Sequence, residues 1–463
     1  MDNHGECSKP KKSKSCAEHI IYKTEWEHLP SVILHQIFDL LNQEDRKNAS
    51  SVCQHWRNTL FHPKWWPSMK FKIEHDNIKK AKFYTFTFGQ IVSEATVSWN
   101  SLSDTCIQEF ILLLKLFNKS NHLKSLILEP THCRIDPQKI NNQENQRIIH
   151  EILDLIIPIL PKLNKFSLGC VEDLAYYTDY ILRSLNPVKV NILGLASIKD
   201  DPLKYEESYF DPQLILPFKA LQILSIDYDY LSDALLSMLE GADKLQRLVV
   251  HLHKIRQDHE GTTNRAWINF KKVHPQCLLR LSLIHAYDAV ENLHLEVLRE
   301  EMPLSHIKAF FCENVNMEVL HSLSTFYANT LQSVVWIDSL SKSQYSWKFS
   351  NEAESPDPFV LMSWLCSNFE ELVLYGYKYS EENLIAIGRL RGPKMKRLEI
   401  PASDILFSRA RDNTIVQLTK DISKNLQRSW NPLYNNELHP VIHNPVAGDS
   451  DEFLLPLVLK DLY

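Results

Sequence analysis

One short pattern, apolar-x-x-apolar-x-apolar, recurs ten times between residues 123 and 400, and few folds can hold it. The copies are Leu123, Leu126 and Leu128; Leu163, Phe166 and Leu168; Val190, Leu193 and Leu195; Leu221, Leu224 and Ile226; Leu245, Leu248 and Val250; Leu278, Leu281 and Leu283; Ile307, Phe310 and Cys312; Leu331, Val334 and Trp336; Phe369, Leu372 and Leu374; Met395, Leu398 and Ile400. Phe83, Phe86 and Phe88 offer a candidate eleventh. First residues of successive copies lie 24 to 40 apart, against ~20–29 in ordinary leucine-rich repeats, so several copies carry insertions. Helical patterns fall between them, at 108–117, 146–160, 233–239, 292–300, 317–327 and 358–366. A strand and a helix, repeated, bury too little apolar surface singly, so neighbours complete each other's cores. The expected class is α/β: a curved, leucine-rich-repeat-like solenoid of parallel strands and helices over 69–403. An ordinary α/β sheet is the alternative.

On such a strand the pattern residues point into the core and those between them face the concave side. That row reads Ile127, Lys165, Ser167, Arg247, Val249, Arg280, Phe311, Val335, Glu371, Val373, Arg397 and Glu399. Its mix of charge and apolar surface suits a protein better than DNA. Arg247, Arg280, Phe311, Val335, Glu371 and Arg397 are the candidate target contacts; a solvated face without a hot spot is the plainer reading.

The stretch from Trp26 to Trp66 has a different character. Ser31 suits an N-cap, and Ile33, Leu34, Ile37, Phe38 and Leu41 fall on one helical stripe. Asn42-Gln43-Glu44-Asp45 turns into a short second helix, and a third begins near Ser50-Ser51 with Val52, Cys53 and Trp56. About forty residues this apolar cannot close a core alone. They either pack on the rest of the chain or form a plug that another protein completes.

In order, Leu29-Pro30, Ile33-Leu34, Ile37-Phe38, Leu40-Leu41 and Val52-Cys53 with Trp56-Arg57 resemble the F-box. The chain departs from that family at Val32, where Glu is usual, and at Asn42-Gln43, where Pro is common. Neither change removes an apolar anchor. The resemblance places an F-box at 23–68 and implies docking on the adaptor Skp1 through Leu29, Pro30, Ile33, Ile37, Phe38, Leu41, Val52, Cys53 and Trp56. A cullin and a RING subunit would follow through Skp1. The block 357–400, with its run from Asn383 to Gly392, is similar to one within the same family, as are Leu60-Phe61-His62-Pro63 with Trp66-Pro67 and Met302-Pro303-Leu304. This implies a substrate-recognition subunit of an SCF ubiquitin ligase, with a protein target of unknown identity. A repeat scaffold that binds Skp1 or other partners without directing degradation is the rival.

Net charge is -6, which gives no basic field for nucleic acid. Nine scattered cysteines form no CxxC pair; no structural zinc, metal or cofactor is expected, and the compartment reads as reducing, cytoplasmic and/or nuclear. No apolar run reaches the ~18–20 residues of a membrane span. Ten glycines in 463 residues are far below the usual ~7%, and the pair Gly388 and Gly392 brackets Leu390, no nucleophile. The chain therefore reads as a binding module rather than an enzyme. Asp227, Asp229 and Asp233 fail the calcium-loop count at Ser232 and Met238, and read as a polar loop. His251 and His253 read as surface residues, and Cys312 as a buried small hydrophobe. Paired Trp65 and Trp66 read as a packed junction.

Residues 1–22 read as a disordered basic tail with Lys9, Lys11, Lys12 and Lys14, a solvated stretch or a nuclear import signal. The stretches 199–212, 264–272 and 338–357 lack the repeat pattern. Beyond 404 a helix is expected near 414–426. After it comes a tail with the apolar patch Phe453-Leu454-Leu455-Pro456-Leu457, placed to cap the last repeat or to fold back across the concave face.

Overall fold

Every copy of the repeat becomes a parallel strand next to the one before it. The strands of this computed structural model are β1 Ser68–Ile73, β2 Glu94–Trp99, β3 Ser125–Pro130, β4 Lys165–Ser167, β5 Ile192–Gly194, β6 Ile223–Asp227, β7 Arg247–Leu252, β8 Leu278–Ile284, β9 Leu304–Phe310, β10 Ser333–Ile337, β11 Glu371–Tyr375, β12 Tyr379–Ser380, β13 Arg397–Glu399 and β14 Ile405–Leu406. β1 to β11 and then β13 form one twelve-stranded sheet in chain order, while β12 pairs with β14 alone. All pairings are parallel. A doubly wound sheet reverses its strand order at a switch point. This one does not, so the arrangement is solenoid-like. The structure describes residues 26–136, 142–206, 210–340, 356–408, 414–444 and 449–463. The expected basic tail, and residues 341–355 of the loop 338–357, lie outside the described residues.

Register explains why the pattern recurs. Leu126, Phe166, Leu193, Leu224 and Leu248 stand side by side across five strands, as do Val334, Leu372 and Leu398 across three. Each is buried, and its spacing of two from the next pattern residue keeps both on one face. Helices cover that face: Trp99 of β2 stacks on Phe110, and Phe71 of β1 meets Phe117 edge-on, both from the helix Asp104–Lys119. Successive helices then pack on one another, as Ile78–Phe88, Asp104–Lys119 and Asn142–Ile156 do.

The expectation fails in two places. Phe83, Phe86 and Phe88 lie on the helix Ile78–Phe88, where Phe83 and Phe86 are exposed; they form no strand. The first two strands instead carry Trp66, Met69 and Phe71, and Val92, Ala95 and Val97, which fit the same template. In β9 the frame slipped. Ile307 pairs with Leu281 and Val334, and the next core residue is Ala309, not Phe310. Phe310 sits beside Ile284 and Ile337 on the other face. A search for large apolar residues passes over an alanine and locks onto the phenylalanine. The stretch 264–272, which lacks the repeat pattern, is part of the helix Asn264–Val273, capped by Thr263 and burying Trp267 and Phe270.

The chain divides between Trp65 and Trp66 into two units, each with its own packing. In the second, the helix Ile415–Leu426 closes the last repeat, burying Leu418, Ile422 and Leu426 beside the helix Glu381–Arg391. The following segment folds back across the helix-free face. Its helix Ser450–Leu459 and final turn Lys460–Leu462 join Leu438, Val441 and Ile442 in a cluster with Cys170, Ile198, Ile284, Phe310, Val335, Ile337, Val373 and Tyr375. Parallel sheets require cover on both faces, and this segment supplies the second. Gly194 makes room for it: a Cβ there would stand 2.8 Å from Leu462 Cδ1 and 2.7 Å from Ser167 Oγ. Gly194→Val is therefore expected to cost about 1–3 kcal/mol through overpacking, read as a lower urea midpoint at unchanged slope.

Candidate functional site

Among its described residues the amino-terminal unit contains three α-helices, α1 Ser31–Asp39, α2 Gln43–Ala49 and α3 Gln54–Leu60. Pro30, not Ser31, is the N-cap of α1; its carbonyl accepts from Ile33 and Leu34, and no side chain caps the turn. Asn42 opens α2 by accepting from the Asp45 amide at 2.9 Å. Cys53 caps α3, its sulfur accepting from the Trp56 amide at 3.4 Å, so that helix starts later than Ser50-Ser51. Two bonds tie α3 to the 3-10 turn Trp26–His28 and the residue after it: Trp56 Nε1 donates to the Trp26 carbonyl at 2.8 Å, and His55 Nε2 lies 2.8 Å from that of Leu29.

The single apolar stripe expected on α1 is two stripes. Leu34 and Phe38 are fully buried, with Phe38 edge-on to both Trp56 and Trp65. His35 stacks on Trp65, whose ring also lies under Arg46 and Lys64. One residue round the helix, Ile33, Ile37 and Leu40 form a second row at spacings of four and three. Ile33 is 41% exposed and Leu40 87%. Val32 at 67%, Val52 at 60% and Trp26 at 58% are exposed apolar residues of the same unit. Of the nine expected Skp1 contacts, Pro30, Ile33 and Val52 are exposed, while Leu29, Ile37, Leu41, Cys53 and Trp56 are half-buried. Phe38 is sealed inside. Leu40, part of the F-box-like pattern but not one of those nine, lies seven residues from Ile33 on the same face.

The second surface is the helix-free sheet face, where the six candidate target contacts divide. Arg247 donates from Nη1 to the main-chain oxygens of Asp461 and Tyr463, each at 2.7 Å. Arg280 Nη1 lies 2.6 Å from the Asp461 carboxylate, joined by Lys308 Nζ at 2.7 Å. Lys308 also donates to the Leu457 carbonyl at 3.0 Å. Phe311 and Val335 are buried in the cluster with the tail, and Phe311 follows β9 in a left-handed conformation, φ 52°, stacked on His285. Arg397 is bound at 2.8 Å by Glu371 and at 2.6 Å by Glu399. Lys308 escaped the sequence reading because the β9 frame had slipped. Asp461 escaped because no repeat pattern reaches it.

Other polar clusters are paired mostly within themselves, although the buried His251 Nε2 has no hydrogen-bond partner. Asp227, at the end of β6, is buried rather than in a surface loop, and it binds Lys199 at 3.2 Å and the Ser197 amide at 2.8 Å. Asp229 turns to Tyr205, and Asp233 to Thr263. His251 and His253 are buried, not surface residues, and both reach the Ser197 carbonyl at 3.1 Å. Burial pushes His253 down to about 3 and keeps it neutral. His132, Asp449 and Asp451 come together, but His132 Nδ1 accepts from the Arg134 amide at 3.0 Å. That bond places the ring proton on Nε2, the atom facing the carboxylates, and leaves no lone pair there for a metal.

Together these features define a chain with an F-box-like helical module ahead of a repeat α/β body; residues 26–72 match the F-box-like family model. Two relatives extend the similarity to the body. F-box only protein 33 of Homo sapiens is 23% identical over 476 residues, covering 90% of this chain and 85% of that protein. F-box only protein 33 of Mus musculus is also 23% identical, over 485 residues, covering 90% and 84%. Among solved structures, a chain of the "Crystal structure of Rad7 and Elc1 complex in yeast" is 13% identical, covering 81% of this chain and 88% of its own. Its TM-score is 0.37, too loose to bear on fold or partner. No helix among the described residues is long and apolar enough to cross a membrane.

Two measurements follow from this geometry. Phe38→Ala is expected to cost about 3–5 kcal/mol of stability, while Leu40→Ala stays within about 0.5 kcal/mol, in urea unfolding of the helical unit followed by hydrogen exchange. Burial pushes the Asp461 carboxyl up, but Lys308 and then Arg280 outweigh it and hold it below the usual range. A depressed folded pKa adds stability above the unfolded value of about 3.9, lost as pH falls through the folded one. Protection of amides in 450–463 is therefore expected to hold from about pH 5 to 7 and to weaken below about pH 4.

Proposed function

We propose that this chain is the substrate-recognition subunit of an SCF ubiquitin ligase, docking Skp1 through its helical module and a protein target through the body. One observation carries the reading: α1 and its C-cap carry a second apolar row, Ile33 and Leu40 exposed with Ile37 half-buried between them, in addition to the row that closes the unit's own core. A helix apolar on two sides needs a second surface against it. The F-box-like match over residues 26–72 supports Skp1 as that surface. Ubiquitin transfer would then be carried out by an E2 on the RING subunit, with this chain supplying proximity: it raises the effective concentration of target lysine near the thioester. Such a protein would work in the cytoplasm or nucleus. Leu29, Pro30, Ile33, Ile37, Leu41, Val52, Cys53 and Trp56 are the proposed Skp1 contacts, with Leu40 added and Phe38 supporting them from inside.

A second reading, a scaffold that binds Skp1 without directing degradation, draws on the tail lying across the proposed target face. A protein that accumulates on depletion of this chain, and on proteasome inhibition, separates the two. The decisive test is Skp1 capture. Leu29→Ala with Pro30→Ala is expected to weaken co-purification by at least about tenfold, about 1.4 kcal/mol, with the body's melting unchanged. Full capture by that variant, and by Ile33→Asp, would remove the assignment.

A further inference from the structure

The tail helix carries two kinds of recognition at once. Leu454, Leu455, Val458, Leu459 and Leu462 form its apolar stripe against the sheet. Asp461, at the end of that stripe, lies among Arg247, Arg280 and Lys308, and its side chain is 2% exposed. With the tail lifted, those three cations would stand on one sheet face with no acid between them. A buried ion cluster of this sort does little for net stability but a great deal for choosing what may bind. The tail also underfills the face. One cleft runs along it between Lys70, Glu129, Pro456 and Tyr463, and another between His306, Val335, Glu371, Arg397 and Leu457.

We propose that the sheet face around Arg247, Arg280 and Lys308 is a recognition surface for an amphipathic segment of a target protein that ends its apolar stripe with an acidic residue, and that residues 450–463 hold that place in cis. This deepens the receptor reading and rests on it for the identity of the ligand as a target. The tail is then the internal template of the ligand: leucine-rich on one side, with an acid one position before its last apolar contact. A target lacking the acid would leave three cations desolvated and unpaired, which is how the face would reject it.

The test uses the full chain and a fluorescein-labelled synthetic peptide of residues 449–463. In the chain variant Asp461→Arg, repulsion from the three cations is expected to speed hydrogen exchange across 450–463 by at least about tenfold. That variant should bind the peptide at least about tenfold more tightly than the unmodified chain, whose face is occupied. The same peptide carrying Asp461→Lys should not bind, nor should the peptide bind a chain with Arg280→Glu added to Asp461→Arg. Unchanged tail protection in Asp461→Arg, equal binding to both chains, or no binding to a chain with a released tail would each overturn the proposal. So would self-association of the unmodified chain by exchange of tails, seen by sedimentation, which would assign the face to a second copy. Skp1 capture is scored on the same variants. No Skp1 capture by any chain, the unmodified one included, with peptide binding intact refutes the ligase reading alone, and Skp1 capture by every chain with no peptide binding to the released-tail variant refutes this one.

Discussion

A parallel sheet has no self-sufficient side. Its strands run the same way, each crossover needs a helix, and both faces must be covered. In this chain the constraint is met asymmetrically. Helices from every repeat cover one face, and their packing is local and serial. The other face depends on residues more than a hundred positions away, and one stretch of about thirty residues supplies its cover. Arg247, Arg280 and Lys308 are placed by the repeats, but their partners come from outside them: the Asp461 carboxylate for Arg280 and Lys308, and the main-chain oxygens of Asp461 and Tyr463 for Arg247. The body is thus a repeat protein on one side and a tertiary fold on the other.

How far the residues announce this differs by face. The helix-covered face is legible because its demand is periodic: Leu126, Phe166, Leu193, Leu224 and Leu248 must match their neighbours, and so share a type and a spacing. Where the demand is met by a smaller residue, as at Ala95 and Ala309, the signal fades although the packing does not. The opposite face has no period to read. His251, His253 and Asp227 look like solvated polar residues in the sequence, yet they pair inside a buried network whose members are tens of residues apart. Sequence distance conceals such partners, since each is chosen by one long-range contact.

The helical unit shows the same division at smaller scale. Its apolar residues were visible as a group, but a stripe of five neighbouring positions on one helix hides two faces about 100° apart. Burial separates them: Leu34 and Phe38 belong to the unit itself, while Ile33 and Leu40 do not. A core residue and an anchor for a partner are chemically alike. Only the rotation about the helix axis tells them apart, and a capping error of one residue, such as Ser31 for Pro30, leaves that rotation undecided.

Pro456 sits inside the helix Ser450–Leu459. Its ring nitrogen has no proton to give, so one rung of the helical ladder is missing where the segment crosses the sheet. Ten residues with such a gap are too short and too broken to stay coiled in water. The segment therefore borrows its shape from the surface beneath it: on leaving, it would not swing away as a rod but melt into a strand-like tether. Detachment would then be favoured by the chain entropy it regains, and re-docking would have to overcome that same entropy each time.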